Sequence, residues 1–172
     1  MKFFWFLVGL LVGVFLIPQE AHAQFVPECR AFGAVRITGT NQAERCELVR
    51  ILTQVPYSDL HGLPEIGIVS SHEFFTSPGI VGAWTPGVLV IRTGWVRDDV
   101  VIHEVAHNAD YTRVGPGQMG ERGRAYVHIC ITSYACQGIP AEWYAEAYQM
   151  CHTDPLRLWQ MAPQAWNEIC SR

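Results

Sequence analysis

Four stretches of the chain space their apolar residues as helices do, and three read as strands. Asn41-Gln-Ala-Glu44 is a capping box, and Ala43, Cys46, Val49 and Leu52 follow at helical spacing, so a helix is expected to about Gln54, ahead of Pro56. Glu65 to Ser70 alternates weakly and is rich in β-branched residues, and Val88 to Arg92 is a compact apolar run between Gly87 and Gly94. Both predict strands, and Ile80 to Trp84, before the Thr85-Pro86-Gly87 turn, pairs with the second as a hairpin. Asp98-Asp99 opens a long helical run that stops by Gly115-Pro116. The four glycines between Gly115 and Arg124 read as a solvated loop in preference to a lid. Pro140 opens a helix to about His152, Asp154-Pro155 opens another, and Pro163 breaks or restarts it. Ahead of Asn41 the pattern is irregular, and the whole is of mixed α+β order.

The first 23 residues do not belong to that pattern. Lys2, the apolar run Phe3 to Ile17 and the ending Ala21-His22-Ala23 have the three regions of a secretory signal peptide, with cleavage expected after Ala23. The run is shorter than the roughly 20 residues that span a bilayer, so no stable membrane anchor is expected after cleavage. Residues 24–172 have the length of a single domain, expected to be monomeric and secreted or periplasmic. They carry eleven arginines, no lysine and fifteen acids, a balance that argues against nucleic acid as a partner. All six cysteines lie in this part, and an even count in an exported chain points to disulfides. Fifteen pairings are possible. Cys29 with Cys46, Cys130 with Cys136 and Cys151 with Cys170 need the least rearrangement of the chain.

His103-Glu104-Val105-Ala106-His107 is an H-E-x-x-H pattern. Residues i and i+4 of a helix point the same way, so two imidazoles can hold one zinc ion. Glu104, one residue on from His103, is turned away from direct ligation and can act as a general base toward a water on the metal. A metzincin would continue with Gly at 110 and His or Asp at 113, and Asp110 and Arg113 stand there instead. Glu142-Trp-Tyr-Ala-Glu146 offers two carboxylates one turn apart, the arrangement that supplies one ligand and one support. Both acids sit among apolar and aromatic neighbours, where carboxylates need a partner. Asp110 follows His107 by three and is a candidate supporting acceptor as well as a candidate cap or ion-pair acid. His61, His72, His128 and His152 lack paired spacing and read as structural or exposed. Among the tryptophans Trp84 stands out, because a strand just before the metal helix is where extended peptide can pair along a sheet edge.

Four pieces, His103–Tyr111, Thr132-Ser-Tyr134, Ala141–Tyr148 and a helical tail with Ala162-Pro163, resemble the gluzincin metallopeptidases, in the pattern of the catalytic domain of anthrax lethal factor and its relatives. The resemblance spans roughly residues 80 to 170. It implies a zincin-like α+β domain with a small mixed or antiparallel sheet, an active-site helix and C-terminal helices. It also implies Glu142 as third ligand to Zn2+, Glu146 as the acid steadying a ligating histidine, and Tyr134 as a hydroxyl donor to the oxyanion. The chain departs from that pattern at Ala106, where relatives often have Gly, and in a Tyr134-to-Glu142 spacing that looks one residue longer. Nothing in it resembles the toxin's delivery domains. The expected activity is zinc-dependent hydrolysis of a peptide or protein substrate by a metalloendopeptidase. The alternatives are a catalytically idle zincin-like binding or inhibitor module and a disulfide-rich recognition domain without metal.

Overall fold

The structure, a computed structural model, describes residues 28–171 apart from Phe74 and Ser77, so the expected signal peptide lies outside the described residues. Five strands form one mixed sheet: β1 (Ala31–Phe32), β2 (Val35–Thr38), β3 (Glu65–Val69), β4 (Gly82–Thr85) and β5 (Val88–Arg92). Their spatial order is β1-β2-β3-β5-β4. β2, β3 and β5 run parallel, and the two outer strands pair antiparallel to their neighbours. Three consecutive residues of β3 and of β5 are buried, the continuous pattern expected of parallel strands covered on both faces. The hairpin forms as its sequence predicts, with Trp84 opposite Leu89, although β4 starts at Gly82 and not at Ile80.

Among the described residues six α-helices accompany the sheet: α1 (Gln42–Leu52), α2 (Asp98–Val114), α3 (Glu121–Arg124), α4 (Pro140–Thr153), α5 (Pro155–Met161) and α6 (Pro163–Ile169). The Asn41 side chain accepts from the Ala43 and Glu44 amides and fixes the start of α1. α2 is buried on nearly every side from Val101 to Asp110, because it lies between the sheet and α4. Trp143 and Tyr144 of α4 are fully buried, and the Trp143 indole donates to the Ile129 carbonyl at 2.7 Å. Prolines at the first positions of α4, α5 and α6 set their starts, and Pro163 begins a new helix.

Two segments differ from their expected form. Residues 31–38 make a small hairpin ahead of α1, its strands too short to leave a periodic signal. The first part of the glycine-rich segment is a loop as expected, exposed at Pro116 to Gln118, but its end folds into α3, which packs on the start of α4. Gly123 allows that approach, since a Cβ there would lie 2.2 Å from the Pro140 carbonyl oxygen. The three disulfides are Cys29–Cys46, Cys130–Cys136 and Cys151–Cys170, the local pairs.

Asp59, in a short 3-10 turn (Tyr57–Leu60), is 2% exposed and joins three elements. Its carboxylate accepts from Arg113 of α2 and, at 2.5 Å, from the Tyr148 hydroxyl of α4. Asn108 donates to the Asp59 and His61 carbonyls at 2.7 and 3.0 Å. Removing this acid takes the carboxylate from a partly exposed guanidinium and leaves the buried Tyr148 phenol unpaired. Asp59→Ala is therefore expected to cost about 3 kcal/mol in urea unfolding. A loss below about 0.5 kcal/mol, the size of a neutral surface change, would show that water replaces the carboxylate.

Candidate metal centre

α2 and α4 pack face to face, and that contact brings the chemistry-bearing residues together. His103 and His107 lie one turn apart on α2, with ring centroids 5.0 Å apart. Glu142, in the first turn of α4, places Oε2 3.0 Å from His103 Nε2 and 3.5 Å from His107 Nε2. One donor atom from each of the three residues lies within 4.8 Å of the others. Tetrahedral zinc holds nitrogen and oxygen donors about 3.3 Å apart, so two imidazoles and one carboxylate at these separations fit that ion and leave a position open.

Glu146, one turn along α4, accepts from His103 Nδ1 at 2.9 Å, which fixes the ring with Nε2 toward Glu142. The Thr132 hydroxyl bonds to Glu146 and also accepts from the Ala135 amide at 3.0 Å, linking the histidine's support to the loop that carries Tyr134. The Cys130–Cys136 bridge closes that loop. The Tyr134 ring stands 5.8 Å from that of His103 and is 44% exposed at the cleft wall. His107 has a different support: its ring stacks on Trp84, whose indole donates to Asn108 Oδ1 at 3.1 Å. Asp110 is buried, and its Oδ2 accepts from the Gly120 amide at 2.6 Å, which ties α3 to α2. Asp110 Oδ1 and His107 Nδ1 are both buried without a hydrogen-bond partner among the described residues. Sequence reasoning missed Asn108 and Asp59, whose contacts join residues far apart in the chain.

Glu104 points into the cleft between α2 and β4 and is 8% exposed. Desolvation holds its carboxyl above the ordinary carboxylate range, against the pull of His103 and His107. Burial also raises the Tyr134 phenol, assisted by the neighbouring carboxylates of Glu142, Glu104 and Glu146. His103 is desolvated too, which by itself lowers its pKa, but hydrogen bonds to Glu142 and Glu146 outweigh this and take it up to about 10. Glu142 is the counterpart: burial opposes its ionisation, and the two histidines hold it well below the usual range. The cleft has two arms. One, of about 530 Å³, runs past Ile80, Val100, Glu146 and Gln149. The other, of about 400 Å³, runs past Trp84, Pro86, Met119 and Ala141.

No family model matches the chain, and no curated protein does. Among solved structures, the Pro-Pro endopeptidase PPEP-2 from Paenibacillus alvei is similar in fold, with a TM-score of 0.59 and 16% identity over 81% of this chain and 97% of that one. The fold and the converging His103, His107 and Glu142 define a zincin-like domain with the capacity to hold a divalent metal.

Elemental analysis of the mature, oxidised chain is expected to give one zinc per chain, lost or weakened in His103→Ala, His107→Ala and Glu142→Ala. No zinc after it is offered to folded protein would overturn the site. In chelated protein the raised His103 contributes stability that is full below its unfolded value of about 6.5 and is lost as pH rises through about 10. The urea midpoint of chelated protein is therefore expected to fall between pH 7 and about 10.5, and an unchanged midpoint would remove the charged pairing of His103 with Glu142 and Glu146.

Proposed function

We propose that the protein is an exported zinc metalloendopeptidase of the gluzincin type, with His103, His107 and Glu142 as ligands and Glu104 as general base. The observation that carries this is the position of Glu104. It lies in the same cleft as the three donors and, unlike Glu142, bonds neither histidine among the described residues. A purely structural zinc site has no use for such an acid and is normally closed by four protein ligands.

Zinc held there would act as a Lewis acid toward the scissile carbonyl and lower the pKa of a water toward 7. Glu104 takes the proton of the attacking water and passes it to the leaving amine, and its desolvated carboxyl suits both directions of transfer. Tyr134 donates its hydroxyl to the carbonyl oxygen as negative charge develops there. Glu146 holds His103, and Asp110 steadies the end of the metal helix near His107. β4 is the sheet edge beside α2, where an extended peptide can add as a further strand. The cleft continues on both sides of Glu104, which favours cleavage inside a chain over removal of a terminal residue. That the similar solved structure is of an endopeptidase supports a peptide substrate. Three disulfides suit an oxidising compartment, secreted or periplasmic, and the chain is proposed to act as a monomer.

Glu104→Gln is expected to keep its zinc and lose about 10²- to 10⁴-fold in kcat on a peptide library, and full activity would remove Glu104 as the base. Tyr134→Phe is expected to lose about 10²-fold in kcat with little change in KM, and an unchanged kcat would leave the oxyanion without this donor.

A further inference from the structure

Gly82 sits in the edge strand β4, paired in regular register with Ile91. Glycine inside a strand weakens it, so its presence calls for a reason, either a special backbone conformation or the close approach of another group. Its φ is not among the positive values that favour glycine, so the backbone does not require it. Close approach does: a Cβ at this position would lie 2.6 Å from Glu104 Oε1, 2.7 Å from its Cγ and 3.0 Å from its Cδ. Gly67 in β3, which also lacks a positive φ, makes a useful contrast, since a Cβ there would meet nothing nearer than 3.5 Å.

The volume that a side chain on β4 would fill is thus occupied by the carboxylate arm of Glu104. We propose that Gly82 is the positioning residue for Glu104: the missing side chain lets this acid lie against the edge strand, in the cleft and clear of the metal ligands. This rests on the reading of Glu104 as the general base. Gly82 also lines both arms of the cleft, so Glu104 comes to rest where they meet, at the point a peptide paired with β4 has to cross. The three nearest atoms that a Cβ at 82 would meet all belong to Glu104, an acid that is already buried, and none to His103, His107 or Glu142.

The test compares Gly82→Ala, Glu104→Asp and the pair by zinc analysis, crystallography and steady-state kinetics on a quenched-fluorescence peptide library. Gly82→Ala is expected to bind zinc as the parent does, to show the Glu104 carboxylate moved with the three ligands in place, and to lose about 10- to 100-fold in kcat with KM nearly unchanged. Glu104→Asp shortens the acid by one methylene and withdraws it from β4, so alanine at 82 is expected to cost no more than about twofold in that background. An unmoved Glu104 in the Gly82→Ala crystal overturns the proposal. So does an equal cost of alanine in both backgrounds, which would mean that the methyl group obstructs the peptide instead. If Gly82→Ala alone fails to fold, recovery of folding in the pair supports the proposal, and failure of the pair overturns it. If the parent hydrolyses no peptide, the peptidase reading fails, and the position of Glu104 in the two crystal structures still decides the role of Gly82.

Discussion

The site exists because α4 packs against α2 in one register. His103 lies between Glu142 and Glu146, which are four residues apart on α4, as His103 and His107 are on α2. The two helices therefore meet with matching repeats, and a slip of one residue would turn a carboxylate about 100° away from its histidine. The large side chains on the inner side of α4 prevent that slip. Trp143 and Tyr144 are fully enclosed, and the Tyr148 hydroxyl is held by Asp59. Stability and function are coupled here in a literal sense, since the apolar contact that orders the helices also sets the separation of the donor atoms.

Around that contact the remaining elements act as stops. Asn108 bonds two carbonyls of the 57–60 turn region and receives the Trp84 indole, so one amide connects α2 to the loop before β3 and to the edge strand. Asp110 holds α3 through the Gly120 amide, and the glycines of that segment let it press on the start of α4 near Glu142. The Tyr134 loop is closed by a disulfide and anchored by buried Ile131 and Ala135, so its exposed phenol rests on a fixed base. Loops of this kind carry functional groups well when rigid neighbours limit their motion.

The parts legible in the sequence are those encoded over a few residues. The capping box at Asn41, the acids at the start of α2, the H-E-x-x-H spacing and the proline starts of the last three helices are local signals, and each forms where expected. Glu142 and Glu146 were legible for a different reason, as acids in an apolar helix that need partners. β1 and β2 were not, because two- and four-residue strands carry too little periodicity, and β2, on which β1 pairs, is held by β3 from nearly 30 residues away. α3 was hidden by its glycines, since Gly120 and Gly123 serve close packing against the start of α4. The Asp59 network joins residues 54 and 89 positions apart, a distance over which a single sequence gives no pairing signal. Gly82 lies between these cases: a glycine within a strand pattern marks a close approach, but only the fold shows that Glu104 makes it.

Charge balance explains why so many acids tolerate this interior. Glu104, Glu142 and Glu146 surround a space where the neighbouring bases are two imidazoles. Burying three carboxylates is unfavourable unless positive charge is supplied. The raised pKa of His103, which bonds both Glu142 and Glu146, favours a proton there that supplies part of it, and burial holds the Glu104 carboxyl above its ordinary range. A divalent cation competes for the same His103 nitrogen lone pair and the same Glu142 oxygen. A cation held by His103, His107 and Glu142 would take the place of that proton, and its charge would favour the ionised form of Glu104. The donor atoms are thus already brought together by the hydrogen bonds of His103 with Glu142 and Glu146, and the positive charge those carboxylates call for is the charge a divalent cation would supply.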